Sequence, residues 1–221
     1  MPVVQFTPIL LLMNTFLASI LLGYVSGSIP TAVWVGRLIG GIDIRKQGSG
    51  NAGATNVARV LGAKWGVVVG LIDLLKGFLP VLLLAPLAGR ALGISTANAG
   101  LAIGVAAIAG HLFPLFAGFR GGKGVLTALG VFVALLPVEA VCGAAIWGIV
   151  FGATRIVSLG SLVAVPFFTI IVVVRRYVFG VDYPPALVIA ALLIAVLVIV
   201  THRSNIRRLI RGEEQRWITK R

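Results

Sequence analysis

Three stretches of this sequence hold side chains that could do chemistry together. The first is Gly48-Ser49-Gly50-Asn51-Ala52-Gly53-Ala54-Thr55-Asn56, followed by Arg59. Its glycines let main-chain N–H groups approach an anion with no side chain in the way. Ser49, Asn51, Thr55 and Asn56 add donors, and Arg59 adds a permanent fork-shaped cation. The second is Arg120-Gly121-Gly122-Lys123-Gly124, where adjacent glycines, a lysine and a following helix start make an anion site. The third begins at His202. Asn205 stands three residues on, so the two share a face if the helix continues, and His202 titrates near neutrality. Ser161, in Ser158-Leu159-Gly160-Ser161, is a further neutral hydrogen bonder. Two cations, several neutral donors and one imidazole suit a phosphorylated, anionic substrate. Plain interhelical loops and an ordinary basic surface are the bland alternatives, but they do not require glycine, Ser, Asn and Arg within a dozen positions.

Several chemistries drop out. Gly48-x-Gly50-x-x-Gly53 has dinucleotide-fingerprint spacing, with Asp73 twenty residues beyond Gly53. That fingerprint needs strands on both sides, and here long apolar runs stand in their place. The Lys123 loop is not a Walker A loop, because Ala117 and Gly124 occupy its glycine and Ser/Thr positions. No Asp or Glu falls in the three clusters, so a carboxylate-bound metal and a Ser-His-Asp relay are not expected. The H-x-x-x-x-D signature of many glycerolipid acyltransferases is missing too: Phe116 follows His111 at that spacing, and Arg207 follows His202. Cys142 is the only cysteine, which excludes an intramolecular disulfide.

The elements that must position these groups are mostly oil. The 221 residues are 59% hydrophobic and 11% charged, the composition of an all-α polytopic membrane protein. The net charge of +13 then reads as inner loops, anionic headgroups and an anionic substrate rather than nucleic acid. No basic n-region precedes the first apolar run, so a cleavable signal peptide is not expected. Apolar segments run from about Ile9 to Gly41 (with a kink near Pro30), Leu61 to Leu87, Asn98 to Phe116, the stretch ending at Leu136, Val138 to Ala153, Leu162 to Val174, and Pro185 to Val200. Seven crossings with an external N-terminus place Arg59, Lys123, Arg155 and the basic C-terminal tail inside, leaving Arg90, Arg175 and Arg176 outside. Arg175 and Arg176 oppose the bias, and the fourth and fifth segments are short, so five helices with re-entrant segments are the alternative. Gly62, Gly66 and Gly70 mark a face for close packing or for an acyl groove. Asp73 and Lys76 can pair on one helix side, either as a functional pair or as one that fixes helix position. No tandem repeat or separable domain is evident, so one membrane domain should span residues 1–221.

GSGNAGATNVAR, GHLFPLFAGFRGGKGV and HRSNIRRL together resemble the three motifs of the bacterial acyl-phosphate–glycerol-3-phosphate acyltransferases, and GSIPTA and DLLKG are similar too. The resemblance spans nearly the whole chain. It implies an enzyme of the bacterial cytoplasmic (inner) membrane, active on its cytoplasmic face. That enzyme would transfer a fatty acyl group from acyl phosphate to the 1-hydroxyl of glycerol 3-phosphate, without a cofactor. Partners would be membrane lipids and the enzyme that supplies acyl phosphate. By motif it makes Ser49, Arg59, His202 and Asn205 catalytic. Gly50, Asn51, Gly121, Gly122, Lys123 and Ser161 would bind substrate. A phosphate or organic-anion transporter and a non-catalytic lipid-binding protein are the rivals. Transporters place such sites near the midplane between paired halves, which this sequence lacks.

Overall fold

A computed structural model describes residues 6–217. Among them every regular element is helical: α1 (Phe6–Gly27), α2 (Thr31–Gly40), α3 (Ala54–Leu61), α4 (Ala63–Leu92), α5 (Thr96–Leu112), α6 (Val125–Leu135), α7 (Pro137–Thr154), α8 (Val157–Tyr177), α9 (Pro185–Thr201) and α10 (Arg203–Ile210). Short 3₁₀ turns at Ile44–Lys46 and Leu115–Ala117 shape the first two polar loops.

Local chemistry sets the boundaries. The first apolar run is interrupted at Pro30, between α1 and α2, yet the two continue as one 30-residue span, Leu11–Gly40, as a kinked long helix would. Proline cannot donate to the preceding turn, and the Ile29 carbonyl accepts instead from the Thr31 N–H at 3.0 Å and from Lys76 Nζ at 2.9 Å. The helix expected from about Leu61 to Leu87 is α4, which starts at Ala63 and runs on to Leu92. Gly62 adopts φ +97°, which a side chain would strain, and it separates α3 from α4 instead of joining a glycine face. α7 and α9 open on Pro137 and Pro185, where the missing N–H costs nothing. Ser95 caps α5 by accepting the Asn98 N–H at 3.2 Å.

Two packed groups result. α4 lies against α1, α3, α5 and α6, while α7, α8 and α9 pack in sequence. The first group closes on glycine. A Cβ on Gly27 would sit 1.9 Å from the Ala107 carbonyl oxygen, and one on Gly130 would sit 2.0 Å from that of Leu74. In a bilayer, helices gain little by hiding oil from oil, so backbone approach of this kind carries the association. Phe132, Phe168, Val172 and Leu187 join the second group to α6. Outward-facing Leu83, Ile149 and Leu193 remain exposed, as lipid contact requires. By length and apolar character five helices can cross a membrane, and six if α9 and α10, bent by 60°, form one span. The 11-residue α6 is too short by that measure.

Candidate active site

The first loop is folded by its own asparagine. Asn56, 1% exposed, donates from Nδ2 to the carbonyls of Ile44 (3.0 Å) and Gln47 (2.9 Å) and accepts the Ser49 N–H at 2.8 Å. A Cβ on Gly48 would lie 2.3 Å from Asn56 Oδ1, so glycine is needed there by contact and by its φ of +57°. Asn56 is therefore a clamp and not the ligand donor that its place in the motif suggests. The clamp presents Ser49, Gly50 and Asn51 to a cavity, and α3 brings Arg59 to the same wall. Asp43 holds Arg45, whose Nη1 donates to the Ala117 carbonyl at 2.8 Å and so ties the first loop to the second.

In the second loop the glycines do a different job from the one expected. The Gly121 and Gly122 N–H groups donate to the carbonyls of Leu112 (3.1 Å) and His111 (3.2 Å) and are not free to bind an anion. A Cβ on Gly121 would lie 1.9 Å from the His111 carbonyl oxygen. The pair lets the chain cross the end of α5 closely, and Lys123 emerges beyond it. Gly122 and Lys123 line the large cavity, whereas Gly121 lines only a small one behind it.

The third stretch turns at His202, between α9 and α10. His202 Nδ1 lies 2.8 Å from the Val198 carbonyl oxygen. A carbonyl only accepts, so Nδ1 carries the proton and Nε2 of the neutral ring keeps a lone pair. Asn205 accepts a short hydrogen bond from Lys123 Nζ, joining the second and third stretches. Its Nδ2 donates to Glu214 Oε1 at 2.6 Å.

Ser49, Gly50, Asn51, Arg59, Gly122, Lys123, Ser161, His202 and Asn205 thus share one cavity of about 830 Å³. Ser161, 4% exposed, donates back to the Val157 carbonyl at 3.2 Å. Val67, Leu126, Trp147 and Phe151 give the same cavity an apolar wall. Burial pushes the Lys123 ammonium down to about 8; nearby Glu214 opposes this, while Arg208 and Arg59 add to it. Burial likewise lowers the Arg59 guanidinium. Arg59 Nη2 donates to the Gln215 carbonyl at 2.9 Å, and its buried Nε has no partner among the described residues.

Residues 17–212 match the family model for glycerol-3-phosphate acyltransferase. The chain belongs to that family. A relative from Anaeromyxobacter sp. (strain Fw109-5), named glycerol-3-phosphate acyltransferase, is 46% identical over 88% of this chain and 92% of its own length. One of the same name from Chlorobaculum tepidum is 43% identical over 92% and 97%. The crystal structure of PlsY, an integral membrane glycerol 3-phosphate acyltransferase, is similar in its glycerol 3-phosphate form with TM-score 0.80. That form is 40% identical and covers 92% of this chain and 96% of PlsY. Its lysophosphatidic acid form gives a TM-score of 0.75.

Two carboxylates that the sequence reading did not place here, Asp73 and Glu214, line this acyltransferase-family site. Glu214 lies on the segment after α10 and takes part in the site's hydrogen-bond network. It accepts from Ser158 Oγ (2.8 Å), Asn205 Nδ2 (2.6 Å) and Arg208 Nε (2.6 Å). Burial alone would raise its carboxyl, but the bonds from Arg208, Ser158 and Asn205 outweigh burial and hold it below the usual carboxylate range. The available signal is the Glu213-Glu214 pair that follows Gly212 in an otherwise basic tail. Gly212, at φ +71°, turns the chain back toward the site. Trp217 follows and meets Phe151 edge-on at 6.0 Å, while Phe151 stacks on Trp147 at 4.9 Å.

Proposed function

We propose that this chain moves a fatty acyl group from acyl phosphate to the 1-hydroxyl of glycerol 3-phosphate, giving lysophosphatidic acid and inorganic phosphate. The observation that carries the reading is the shared cavity. Arg59 and Lys123 stand in it beside His202, Asn205 and Ser49, next to an apolar wall of the kind a fatty chain requires. The family's name and the forms of PlsY support the acceptor and the product. The donor rests on the motifs and on the chemistry of the site.

Acyl phosphate is a mixed anhydride, so the protein has mainly to orient, desolvate and stabilise charge. Arg59 and Lys123 hold phosphoryl groups, and Ser49 and Asn205 orient the attacking hydroxyl and the carbonyl oxygen. The hydroxyl oxygen bonds to the acyl carbon, the bond from that carbon to the phosphate oxygen breaks, and phosphate leaves. His202 Nε2 takes the hydroxyl proton, or only aligns the glycerol phosphate while a phosphate oxygen takes it. An acyl-serine on Ser49 is disfavoured, because among the described residues no base hydrogen-bonds its hydroxyl. Gly50, Asn51, Gly122 and Ser161 complete the substrate walls, with Gly121 acting from behind.

We also propose seven crossings, with an external N-terminus and the cavity on the cytoplasmic face of the bacterial inner membrane. α6 starts beside Lys123 and leads into α7, whose Glu139 pairs with Arg175 at the far end of α8. The short helix therefore has to join the two ends of the bundle. Arg175 pairs with Glu139, while Arg176 keeps its charge and donates to the Tyr183 carbonyl; both arginines still run against the charge bias that otherwise supports this orientation.

Purified protein given acyl phosphate and glycerol 3-phosphate should release phosphate and form lysophosphatidate, and Arg59→Ala should lower both on the order of 10²–10³-fold. Acyl transfer from acyl-CoA alone would overturn the donor. His202→Gln separates the two histidine roles: a near-wild-type kcat with a raised KM excludes the base.

A further inference from the structure

Beneath the loop that carries Lys123 lies a buried polar cluster that the reaction above does not use. Asp73 and Lys76 stand one turn apart on α4, with Lys76 Nζ 2.9 Å from Asp73 Oδ1 and both side chains 4% exposed. His111 Nδ1 lies 3.7 Å from the same oxygen. Each member is also tied to a different element. Lys76 holds the Ile29 carbonyl at the α1–α2 break, and its own carbonyl accepts from Ser26 Oγ at 3.0 Å. The Asp73 carbonyl accepts from Thr127 Oγ1 at 2.9 Å, four residues after Lys123 on α6. The His111 carbonyl holds the Gly122 N–H, and its ring lies so close that a Cβ on Gly122 would sit 2.4 Å from Nε2. Lys123 is thus held from both sides, through Gly122 before it and Thr127 after it.

A stability role alone explains this poorly. Burying an ion pair costs desolvation that apolar packing avoids, and α1, α4, α5 and α6 are already locked by glycine contacts. Asp73 and His111 moreover line both the small cavity and the reaction cavity, so the cluster forms the partition between them. Ionisable groups kept at such a place in a membrane bundle mark function.

We propose that Asp73, Lys76 and His111 are positioning residues that set the reach of Lys123 into the cavity, so that they act on phosphate binding through the Gly122–Lys123 backbone. The inference rests on the acyltransferase reading. Its test is steady-state kinetics of the charge-neutral double variant Asp73→Asn with Lys76→Met, and of His111→Gln, each per folded molecule, beside wild type and Lys123→Gln. Both variants should raise the KM of the same phosphorylated substrate that Lys123→Gln affects, on the order of ten- to hundred-fold, as a small misplacement of a binding group does. kcat should fall less. Unchanged KM values with a lowered Tm, a KM rise for the other substrate alone, or failure of both variants to fold would each overturn the proposal and leave a purely structural cluster. An inactive wild-type protein would instead remove the acyltransferase reading itself.

Discussion

At one end of α7, α8 and α9, Arg175 Nε meets Glu139 at 3.2 Å, and Arg176 donates to the Tyr183 carbonyl. At the other end, about 30 Å away along the 21 residues of α8, Arg59 and Lys123 face a cavity. Among the described residues neither is in salt-bridge contact with a carboxylate. Glu214 is nearby, yet its oxygens are taken by Arg208, Asn205 and Ser158. Arg175 is neutralised by a carboxylate, whereas Arg59 and Lys123 are held half-buried with neutral partners, as Arg176 is at the first end. A cation desolvated but not paired gains most from an incoming phosphate, because its attraction is not already satisfied. The contrast separates charges that build the bundle from charges that bind.

The hardest blow to this contrast comes from Arg59. Arg59→Ala should lower kcat/KM on the order of 10²–10³-fold, the usual effect of removing a preorganised charge stabiliser. The thermal midpoint should hardly move, because the side chain gives up only its bond to the Gln215 carbonyl. A large fall in Tm with kinetics preserved would move Arg59 to the structural class.

What the sequence reveals and hides follows the same line. Ser49, Arg59, Lys123, His202 and Asn205 were legible because polar groups stand out against apolar runs, and the cavity gathers them all. The purpose of individual glycines and amides was not. Gly121 and Gly122 have the composition of a phosphate loop, but their N–H groups close onto α5, and only backbone partners in space reveal that. Asn56 likewise has a ligand's chemistry and a clamp's position. Glu214 was hidden because a carboxylate twelve residues beyond His202 joins the site only when Gly212 reverses the chain. The apolar segments and the kink at Pro30 emerged clearly, whereas the boundary at Gly62 turns on a single residue whose local conformation hydropathy does not encode.

Lys123 sharpens the contrast through pH. Its pKa, pushed by burial down to about 8, lies within an accessible range. Below that pH the ammonium is charged and phosphate binds; above it the cavity loses a positive charge. kcat/KM reports the free enzyme, so it should fall by about tenfold per pH unit above pH 8. Lys123→Arg keeps its charge throughout. That variant should lose the alkaline limb even if its overall rate is lower. A limb that persists in the arginine variant would assign the titration to another group.

The smallest effect on catalysis belongs to the far end. Arg175→Met leaves the Glu139 carboxylate, 4% exposed, without its cation. Removing one partner of a buried ion pair costs on the order of 3–5 kcal/mol, which should appear as a lower Tm in detergent. Adding Glu139→Gln removes the stranded charge and should recover much of that loss, since a neutral amide tolerates burial better than an unpaired carboxylate. Turnover per folded molecule should stay at the wild-type level in both variants. If Arg175→Met instead lowered kcat while Tm held, the two ends would be coupled through α8, and the division between building charges and binding charges would fail.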